Sequence, residues 1–233
     1  MSKLVIAIDG PVGSGKSTVA RRVARLLDYL YVDTGAMYRA VALKAQRQGI
    51  ALDSNDEMTG LAAGAKIGVR LRGSRNGRGQ SILLDGEDVS AAIRVVEVAE
   101  AASKIAVLPG VREVLVSVQR QAGAEGGVVM EGRDIGSVVF PGANLKIFLT
   151  APVEVRARRR WKEYLRAGKT ISFEEMINVV QERDRRDSER ETSPLIRAAD
   201  GVFIDSSAME SEEVARTIAM LARTKGGDPA PLG

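Results

Sequence analysis

A glycine-rich loop near the start of the chain limits the folds that this sequence can adopt. Gly10, Gly15, Lys16 and Ser17 have the spacing G-x-x-x-x-G-K-[ST], and in such a loop the backbone N–H groups point at phosphate oxygens. The preceding residues, 4–8, form a continuous apolar run that is typical of a strand buried on both faces of a parallel sheet. The motif therefore predicts an α/β fold and a bound nucleoside triphosphate, but it leaves the phosphate acceptor open.

Each part of the loop has an expected role in binding ATP. Lys16 is predicted to reach the β- and γ-phosphates, and the Ser17 hydroxyl is predicted to hold Mg²⁺. The start of the following helix adds the positive end of its dipole. The predicted ATP-binding residues are Gly10, Pro11, Val12, Gly13, Ser14, Gly15, Lys16, Ser17 and Thr18.

Strand and helix patterns alternate along most of the chain. Strand patterns cover residues 4–8, 29–32, 127–130, 145–149 and 202–204. Helical patterns cover residues 16–27, 36–48, 91–107, 110–121, 153–166, 172–187 and 210–221, and Ser54 is a candidate N-cap for a further short helix. Because parallel strands need crossover connections, we predict a five-stranded parallel sheet of the P-loop NTPase type with helices on both faces.

Residues 66–88 interrupt this alternation. The segment KIGVRLR alternates apolar and polar residues, SRNGRGQ is rich in turn formers around Asn76-Gly77, SILL is a second short strand, and Asp85-Gly86 is a tight-turn pair. We therefore predict a small antiparallel insert within the α/β chain, with its strands between about residues 66 and 89.

Composition excludes several kinds of site. The 233 residues include no cysteine and no histidine, which rules out disulfides, cysteine metal sites and a histidine base. The net charge of +4 leaves three interpretations open: a solvated surface, a nucleic-acid interface, or an arginine-lined pocket for anionic small molecules.

No segment resembles a signal peptide or approaches the ~20 apolar residues of a membrane span. We therefore expect a cytoplasmic protein, with a disordered tail at residues 224–233.

Charged residues follow two predicted strands at the sheet edge where ligands bind in open α/β folds. Asp33 and Arg39 come after the second strand, and the alternative interpretation is a helix N-cap and a solvated arginine. Arg133 and Asp134 come after the third strand, where a local salt bridge is the alternative. Glu131 directly follows that third strand as a Walker-B acid does, and it joins Asp33 as a further candidate for Mg²⁺ through bound water.

Two predicted helices each present a charged cluster on one face. The clusters are Arg156, Arg159 and Arg160 in the first helix and Arg183, Asp187 and Arg190 in the second. Each set shares a stripe for as long as its helix continues. The alternatives are a solvated face or, for the first cluster, a nucleic-acid surface, although the sequence carries no RNA-binding fold signature.

The arginines favour an acceptor that is itself a phosphate. Phosphoryl transfer needs charge neutralisation and in-line positioning, which arginine and Mg²⁺ supply. A phosphate acceptor has a second pKa of about 6 and is largely ionised at neutral pH, so it needs no catalytic base. An alcohol acceptor would favour a carboxylate base near the γ-phosphate, and Asp33 keeps that alternative open.

Seven segments together resemble the bacterial cytidylate kinase family. They are IDGPVGSGKST, DTGAMYRAVAL, LDGEDVS, IR…EVA…ASKIA, PGVRE…QR, EGRDIGSVVFPGANLKIFLTA and ERDRRDSER…PL. The resemblance covers essentially the whole chain up to about Leu221. The resemblance implies a monomeric nucleoside-monophosphate kinase that uses ATP to phosphorylate CMP and dCMP, without nucleic-acid or membrane partners. It also implies one kinase domain, 1–223, with a core (1–33, 110–151 and 190–223), an NMP-binding region (34–109) and a helical lid (152–189).

The resemblance further implies roles for individual residues. The CMP-binding residues would be Arg39, Arg133 and Arg190 at the phosphate, Ser103, Arg112 and Asp134 at the cytosine edge, Arg183 and Asp187 at the ribose, and Thr34. The catalytic residues would be Lys16 and the lid arginines Arg156, Arg159 and Arg160. Thr34 and Glu131 stand where some members carry serine and aspartate.

Two other functions compete with this interpretation. One is a different small-acceptor kinase of the same fold, such as a UMP/CMP or shikimate-type kinase, against which the insert and the GRDIGS turn argue. The other is an ATP-binding regulatory or nucleic-acid-handling protein whose arginines contact a nucleic-acid backbone.

Overall fold

The computed structural model describes residues 3–71 and 80–226. In chain order its elements are β1 (Val5–Asp9), α1 (Lys16–Leu27), β2 (Leu30–Asp33), α2 (Thr34–Gln48), α3 (Asn55–Ala63), β3 (Ile67–Leu71), β4 (Gln80–Leu84), β5 (Glu87–Asp88), α4 (Val96–Ile105), α5 (Pro109–Gly123), β6 (Val128–Gly132), β7 (Leu145–Thr150), α6 (Val153–Arg166), α7 (Phe173–Glu189), β8 (Val202–Asp205) and α8 (Ser211–Gly226). Two short segments add a 3₁₀ turn at Ala92–Arg94 and a π-helical turn at Ile135–Val139.

The larger sheet confirms the predicted α/β class. Its strands are parallel and have the order β2-β6-β1-β7-β8, with β1 in the centre. Ile6 and Ile8 pack with apolar residues of α1 and α8, whereas Ala7 packs with residues of α2, α4 and α5 on the opposite face. Because both faces are covered, β1 is a continuous apolar run, and the loop after it opens at the middle of the carboxyl edge.

The predicted antiparallel insert is present as a second sheet. Its order is β3-β4-β5, with Ile67 paired to Leu84. Asp85 and Gly86 both have positive φ angles, 51° and 92°, as a two-residue hairpin turn requires. The Lys44 ammonium lies 2.8 Å from the Asp85 carboxylate and ties this turn to α2. The predicted Asn76-Gly77 turn lies outside the described residues.

The helix predicted at 91–107 is interrupted. Val95 is extended, with ψ 151°, and separates the 3₁₀ turn from α4. Ile93 and Val98 are both buried, although five residues along one continuous helix would place them about 140° apart. The break therefore lets both side chains face the core.

The ends of the chain differ from the prediction in one respect. Helix α8 continues to Gly226, so residues 224–226 of the predicted disordered tail are helical, and the remainder of that tail lies outside the described residues.

Helices α6 and α7 pack on each other around Ala157, Met176 and Val180, and this small cluster also contacts Val12 of the glycine-rich loop. Among the residues that the structure describes, no helix is long and apolar enough to span a membrane.

Candidate active site

A cleft of about 790 Å³ lies at the carboxyl edge of the five-stranded sheet. Its walls come from the glycine-rich loop, the start of α2, the residues after β6, helices α4, α6 and α7, and the segment after β8. The predicted site residues that line it are Val12, Gly13, Ser14, Gly15, Lys16, Ser17, Thr18, Thr34, Arg39, Ser103, Arg112, Arg133, Asp134, Arg159, Arg160, Arg183, Asp187 and Arg190, together with the metal candidates Asp33 and Glu131. The structure therefore brings the predicted donor and acceptor residues into one space.

The glycine-rich loop holds Lys16 at the floor of the cleft. Its ammonium donates to the Pro11 carbonyl at 2.7 Å and to the Ser14 hydroxyl at 3.2 Å. Burial, helped by the positive charge of Arg133, lowers the pKa of Lys16 to about 7. Gly13 has a φ angle of +75°, and a Cβ there would lie 2.7 Å from the Arg156 carbonyl oxygen. The loop therefore surrounds the Lys16 ammonium, and an anionic ligand would stabilise the charged form of this side chain.

Asp9 was not among the predicted site residues, yet it fixes one wall of the cleft. Its two carboxylate oxygens accept from the Ile135 and Gly136 N–H groups, each at 2.8 Å. These are the first N–H groups of the π-helical turn after β6. Burial raises the pKa of Asp9 to about 6 even though both backbone hydrogen bonds favour its ionised form. Asp9 therefore positions the segment that carries Arg133 and Asp134.

Asp33 serves as a helix cap and as an ion-pair partner. One carboxylate oxygen accepts from the Ala36 N–H at 3.0 Å, and the other lies 2.7 Å from the Arg39 guanidinium. The N-cap alternative is confirmed, whereas Arg39 is paired with Asp33 rather than merely solvated. The Thr34 hydroxyl donates to the Glu131 carbonyl at 2.7 Å and joins α2 to the end of β6.

Glu131 is a buried carboxylate at the edge of the loop. It accepts from the Tyr31 hydroxyl at 2.5 Å, and the Ser17 hydroxyl is near enough to favour its ionised form. Burial and the negative charge of Asp33 raise its pKa, while Lys16 and the two hydroxyl donors oppose that rise. Hydroxyl and carboxylate oxygens are the ligands that Mg²⁺ prefers, so these residues fit a magnesium ion that is held mainly by substrate phosphates and water. The described residues contain no cluster of three or more acidic side chains that could hold a metal on their own.

A second charged cluster lies across the cleft from Lys16. Arg133 donates to Asp187 at 2.6 Å. Burial lowers the pKa of Arg183 to about 10, and the neighbouring charge of Arg133 contributes to this fall. Burial alone would raise the pKa of Asp187, but Arg133 and Arg183 lower it below its ordinary value. The cluster thus concentrates positive charge around a single carboxylate.

A third cluster is built around Asp134. Its carboxylate accepts a short hydrogen bond from Arg112 and lies 3.6 Å from the Arg190 guanidinium. Arg133 and Asp134 each pair with distant residues rather than with each other, so the local salt bridge considered as an alternative is not formed. Arg190 follows the last residue of α7 and is extended, with ψ 138°. The predicted helical stripe therefore ends before Arg190, which reaches the cleft from the chain that leaves the helix.

Several buried guanidinium N–H groups in or beside the cleft have no hydrogen-bond partner. Within the described part of the chain they are Arg112 Nε, Arg183 Nε, Arg186 Nε and Arg190 Nη2. Arg186 Nε lies 3.5 Å from a Glu182 carboxylate oxygen, and Arg190 Nη2 lies 3.6 Å from an Asp134 carboxylate oxygen, so these two have an ionic partner without a hydrogen bond. Unpaired buried donors cost free energy, and donors on guanidinium groups suit phosphate and carbonyl oxygens. Arg186 also donates to the Ser103 hydroxyl at 3.3 Å. These guanidinium groups can therefore donate hydrogen bonds to an oxygen-rich ligand.

The three arginines of α6 that were predicted to act in the lid occupy different environments. Arg159 and Arg160 line the cleft, and Arg159 donates to the Ser206 carbonyl at 2.8 Å. Arg156 is buried below them: it donates to the Ala151 and Val12 carbonyls and lies 2.6 Å from Asp184. Arg156 therefore lies apart from Arg159 and Arg160. It is one helical turn earlier in α6, where its side chain contacts the backbone of Ala151 and Val12. Gly10 and Pro11 also lie outside the cleft lining.

Comparisons with known proteins identify the family of this chain. Residues 6–224 match the family model described as Cytidylate kinase. The cytidylate kinase of Desulfitobacterium hafniense is 50% identical over 222 residues, which are 95% of this chain and 94% of that protein. The chain belongs to the cytidylate kinase family. A bifunctional pantoate ligase/cytidylate kinase from Synechococcus is 48% identical over 94% of this chain and 40% of its own length. A solved shikimate kinase from Acinetobacter baumannii covers 96% of this chain and 94% of its own, with 15% identity and a TM-score of 0.48.

Several residues of this family member line the cleft without having been predicted, and four of them carry a polar or charged group that could contact a ligand. Lys162 and Arg166 follow Arg159 at i+3 and i+7, so the helical stripe itself was a usable signal. Tyr38 lies within the DTGAMYR segment, and its ring is 5.8 Å from the Arg112 guanidinium. Ser206 directly follows β8. Ligands bind at the carboxyl edge of open α/β sheets, so this position was also a usable signal.

Proposed function

We propose that this chain transfers the γ-phosphoryl group of ATP to CMP or dCMP, giving ADP and the diphosphate. The observation that supports this proposal most strongly is that two separate sets of cationic side chains line one cleft. Lys16 and the glycine-rich loop form one set, and Arg133, Arg183 and Arg190 belong to the other. Two polyanions can bind there with their phosphates facing each other, which is the in-line arrangement that phosphoryl transfer needs.

The acceptor phosphate would lie between Arg39, Arg133 and Arg190. Arg190 Nη2 lies 3.6 Å from the Asp134 carboxylate but makes no hydrogen bond within the described residues, so it is a donor for one of the phosphate oxygens. An ionised phosphate oxygen attacks without a base, and this agrees with an Asp33 carboxylate that is already engaged by Ala36 and Arg39. The charges of the acceptor and donor sets would then stabilise the transferring group.

Cytosine recognition is assigned to Ser103, Arg112 and Asp134. Cytosine presents an N4 amino donor and the O2 and N3 acceptors. The Asp134 carboxylate supplies an acceptor, while Arg112 and Ser103 supply donors. Uracil has a carbonyl where cytosine has the amino group, so Asp134 would face an oxygen and lose that hydrogen bond. Arg183 and Asp187, which lie between this group and the loop, are assigned to the ribose.

Mg²⁺ is the cofactor that we assign to the donor site. When bound, it would neutralise charge on the phosphates of ATP and help to orient them. Ser17 would contact it, and Glu131 and Asp33 would hold its water. On the protein's side, Ser17 is an exposed residue that lines the cleft together with Glu131.

We assign residues 152–189 to a lid that closes over ATP and excludes water. Arg159 and Arg160 would contact the phosphates in the closed state. Arg156 is assigned a positioning role, because its donors are engaged by Ala151, Val12 and Asp184. Residues 34–109 are assigned to acceptor binding, and we expect a monomer.

A coupled assay of ADP release with Mg²⁺ and ATP tests the proposal. CMP, dCMP, UMP, AMP and GMP are compared as acceptors. We expect CMP and dCMP to stimulate ADP release far above the other nucleotides and above ATP alone. Equal turnover with all five would refute the assignment. A salt-dependent shift with single-stranded RNA, without acceptor-stimulated ADP release, would instead favour a nucleic-acid-handling protein.

A further inference from the structure

Tyr31 is a buried aromatic residue beside the donor site to which the proposed mechanism gives no role. Parallel pairing of β2 with β6 places Tyr31 opposite Val129 and Asp33 opposite Glu131. Side chains alternate along a strand, so Tyr31 and Glu131 share one face of the sheet as diagonal neighbours. The Tyr31 hydroxyl therefore reaches the Glu131 carboxylate, to which it donates at 2.5 Å.

We propose that Tyr31 is a positioning residue that holds Glu131 against Ser17 and thereby fixes the protein's side of the Mg²⁺–ATP site. The inference rests on the proposed function for the identity of the donor. It assigns to Tyr31 a role at the metal, although the phenol itself touches neither metal nor nucleotide.

The need for such a residue follows from the surroundings of Glu131. The three rotatable bonds of a glutamate side chain leave its carboxylate only loosely constrained by the backbone. Asp33 repels it, because the two residues are register partners at the sheet edge. The Tyr31 hydroxyl supplies the donor that keeps the carboxylate turned toward Ser17.

Tyr31 is itself held firmly. Its side chain packs in the apolar cluster of α1 and α8, and it is 7% exposed. The Arg21 guanidinium lies 5.3 Å from the ring centroid on the outer side. A rigid phenol that donates to a ligating or water-holding carboxylate is the arrangement by which outer residues orient metal ligands, and loss of such a contact weakens metal affinity on the order of 10-fold or more.

Tyr31→Phe removes the hydroxyl and keeps the ring. We measure the affinity for ATP by calorimetry with Mg²⁺ and with EDTA, and Mn²⁺ binding to the protein–ATP complex by electron paramagnetic resonance. Tyr31→Phe is expected to weaken Mg²⁺–ATP and Mn²⁺ binding about 10-fold and to leave metal-free ATP binding within about two-fold. Tyr29→Phe is the matched control, because its hydroxyl meets only the Leu4 N–H at 3.2 Å, and it is expected to change neither quantity.

A double-variant cycle separates positioning of Glu131 from general damage. The shorter side chain in Glu131→Asp cannot reach the phenol, so Tyr31→Phe should add no further loss of metal affinity in that background. Equal losses with and without metal, no loss at all, or the same loss in the Glu131→Asp background would each overturn the inference. If Tyr31→Phe fails to fold, Tyr31→Met, which also lacks the hydroxyl, replaces it and must show the same selective loss of metal affinity. These readouts need no acceptor, so failure of CMP phosphorylation would refute the proposed function while leaving the role of Tyr31 to stand or fall separately.

Discussion

Replacing Arg190 with alanine removes one arm of the proposed acceptor-phosphate site. In the unliganded protein the Arg190 Nε donates to the Ser193 carbonyl at 2.6 Å, whereas Nη2 has no hydrogen-bond partner. A charge-assisted hydrogen bond from such a donor contributes about 1.5–3 kcal/mol. This corresponds to a loss of CMP affinity of roughly 10- to 150-fold. The glycine-rich loop has no bond to Arg190, so ATP affinity is expected to stay within about two-fold.

Calorimetric titration of Arg190→Ala with CMP and, separately, with Mg²⁺–ATP gives the two affinities. Arg185→Ala is the matched control, because Arg185 is exposed in the last turns of α7, just before Arg190, and within the described residues its ion-pair partners are Glu182 and Glu189. Arg190→Lys keeps the charge but not the planar fork, so we expect an intermediate CMP affinity. Thermal unfolding of each variant verifies that the fold is retained, since Asp134 still has Arg112 as a partner.

Equal losses for CMP and ATP would refute this reasoning, because they would mean that Arg190 supports the whole cleft rather than the acceptor. An unchanged CMP affinity would refute it as well. A loss in Arg185→Ala as large as in Arg190→Ala would show that net charge, and not the position of the guanidinium, governs binding.

Three further substitutions test how the site is built. In Gly13→Ala the new Cβ would lie 2.7 Å from the Arg156 carbonyl at a φ of +75°, so the free energy of unfolding should fall by at least about 2 kcal/mol in urea titrations. Asp9→Asn replaces an acceptor of the Ile135 or Gly136 N–H with an amide donor, and should cost about 1–3 kcal/mol by the same measurement at pH 8, where Asp9 is ionised. Because Arg133 and Arg183 hold the pKa of Asp187 below its ordinary value, its ionisation stabilises the fold above about pH 4 and that contribution is lost as the pH falls through the lower folded pKa. Asp187→Asn should therefore lose about 3 kcal/mol at pH 7 and show a shallower decline of stability below about pH 4; an unchanged slope would contradict the pairing.

Local patterns predicted the elements that flank the cleft. The apolar run before the loop and the periodicity after it predicted the strand within one residue and α1 at its observed bounds, Lys16–Leu27. Parallel pairing then placed the ends of β1, β2 and β6 at one edge. The motifs at those ends met in the cleft because strand ends meet wherever the sheet is parallel.

Contacts between distant segments could not be predicted in this way. Asp9 and the Ile135 N–H are separated by 126 positions, and nothing near Asp9 indicates that partner. Arg156 has the same helical spacing as Arg159 and Arg160, but the backbone of Val12 and Ala151 captures it. Val95 interrupts a helical pattern without glycine or proline, because burial of Ile93 and Val98 outweighs local propensity.

The central claim is that the phosphoryl group passes from ATP to the phosphate of cytidylate and not to water. ³¹P nuclear magnetic resonance of a mixture of the protein, Mg²⁺, ATP and CMP follows every phosphorus atom directly. We expect the CMP signal to fall as the two signals of CDP appear, in equal amounts with ADP and with no inorganic phosphate beyond that formed without protein. Accumulation of inorganic phosphate with an unchanged CMP signal would contradict the account.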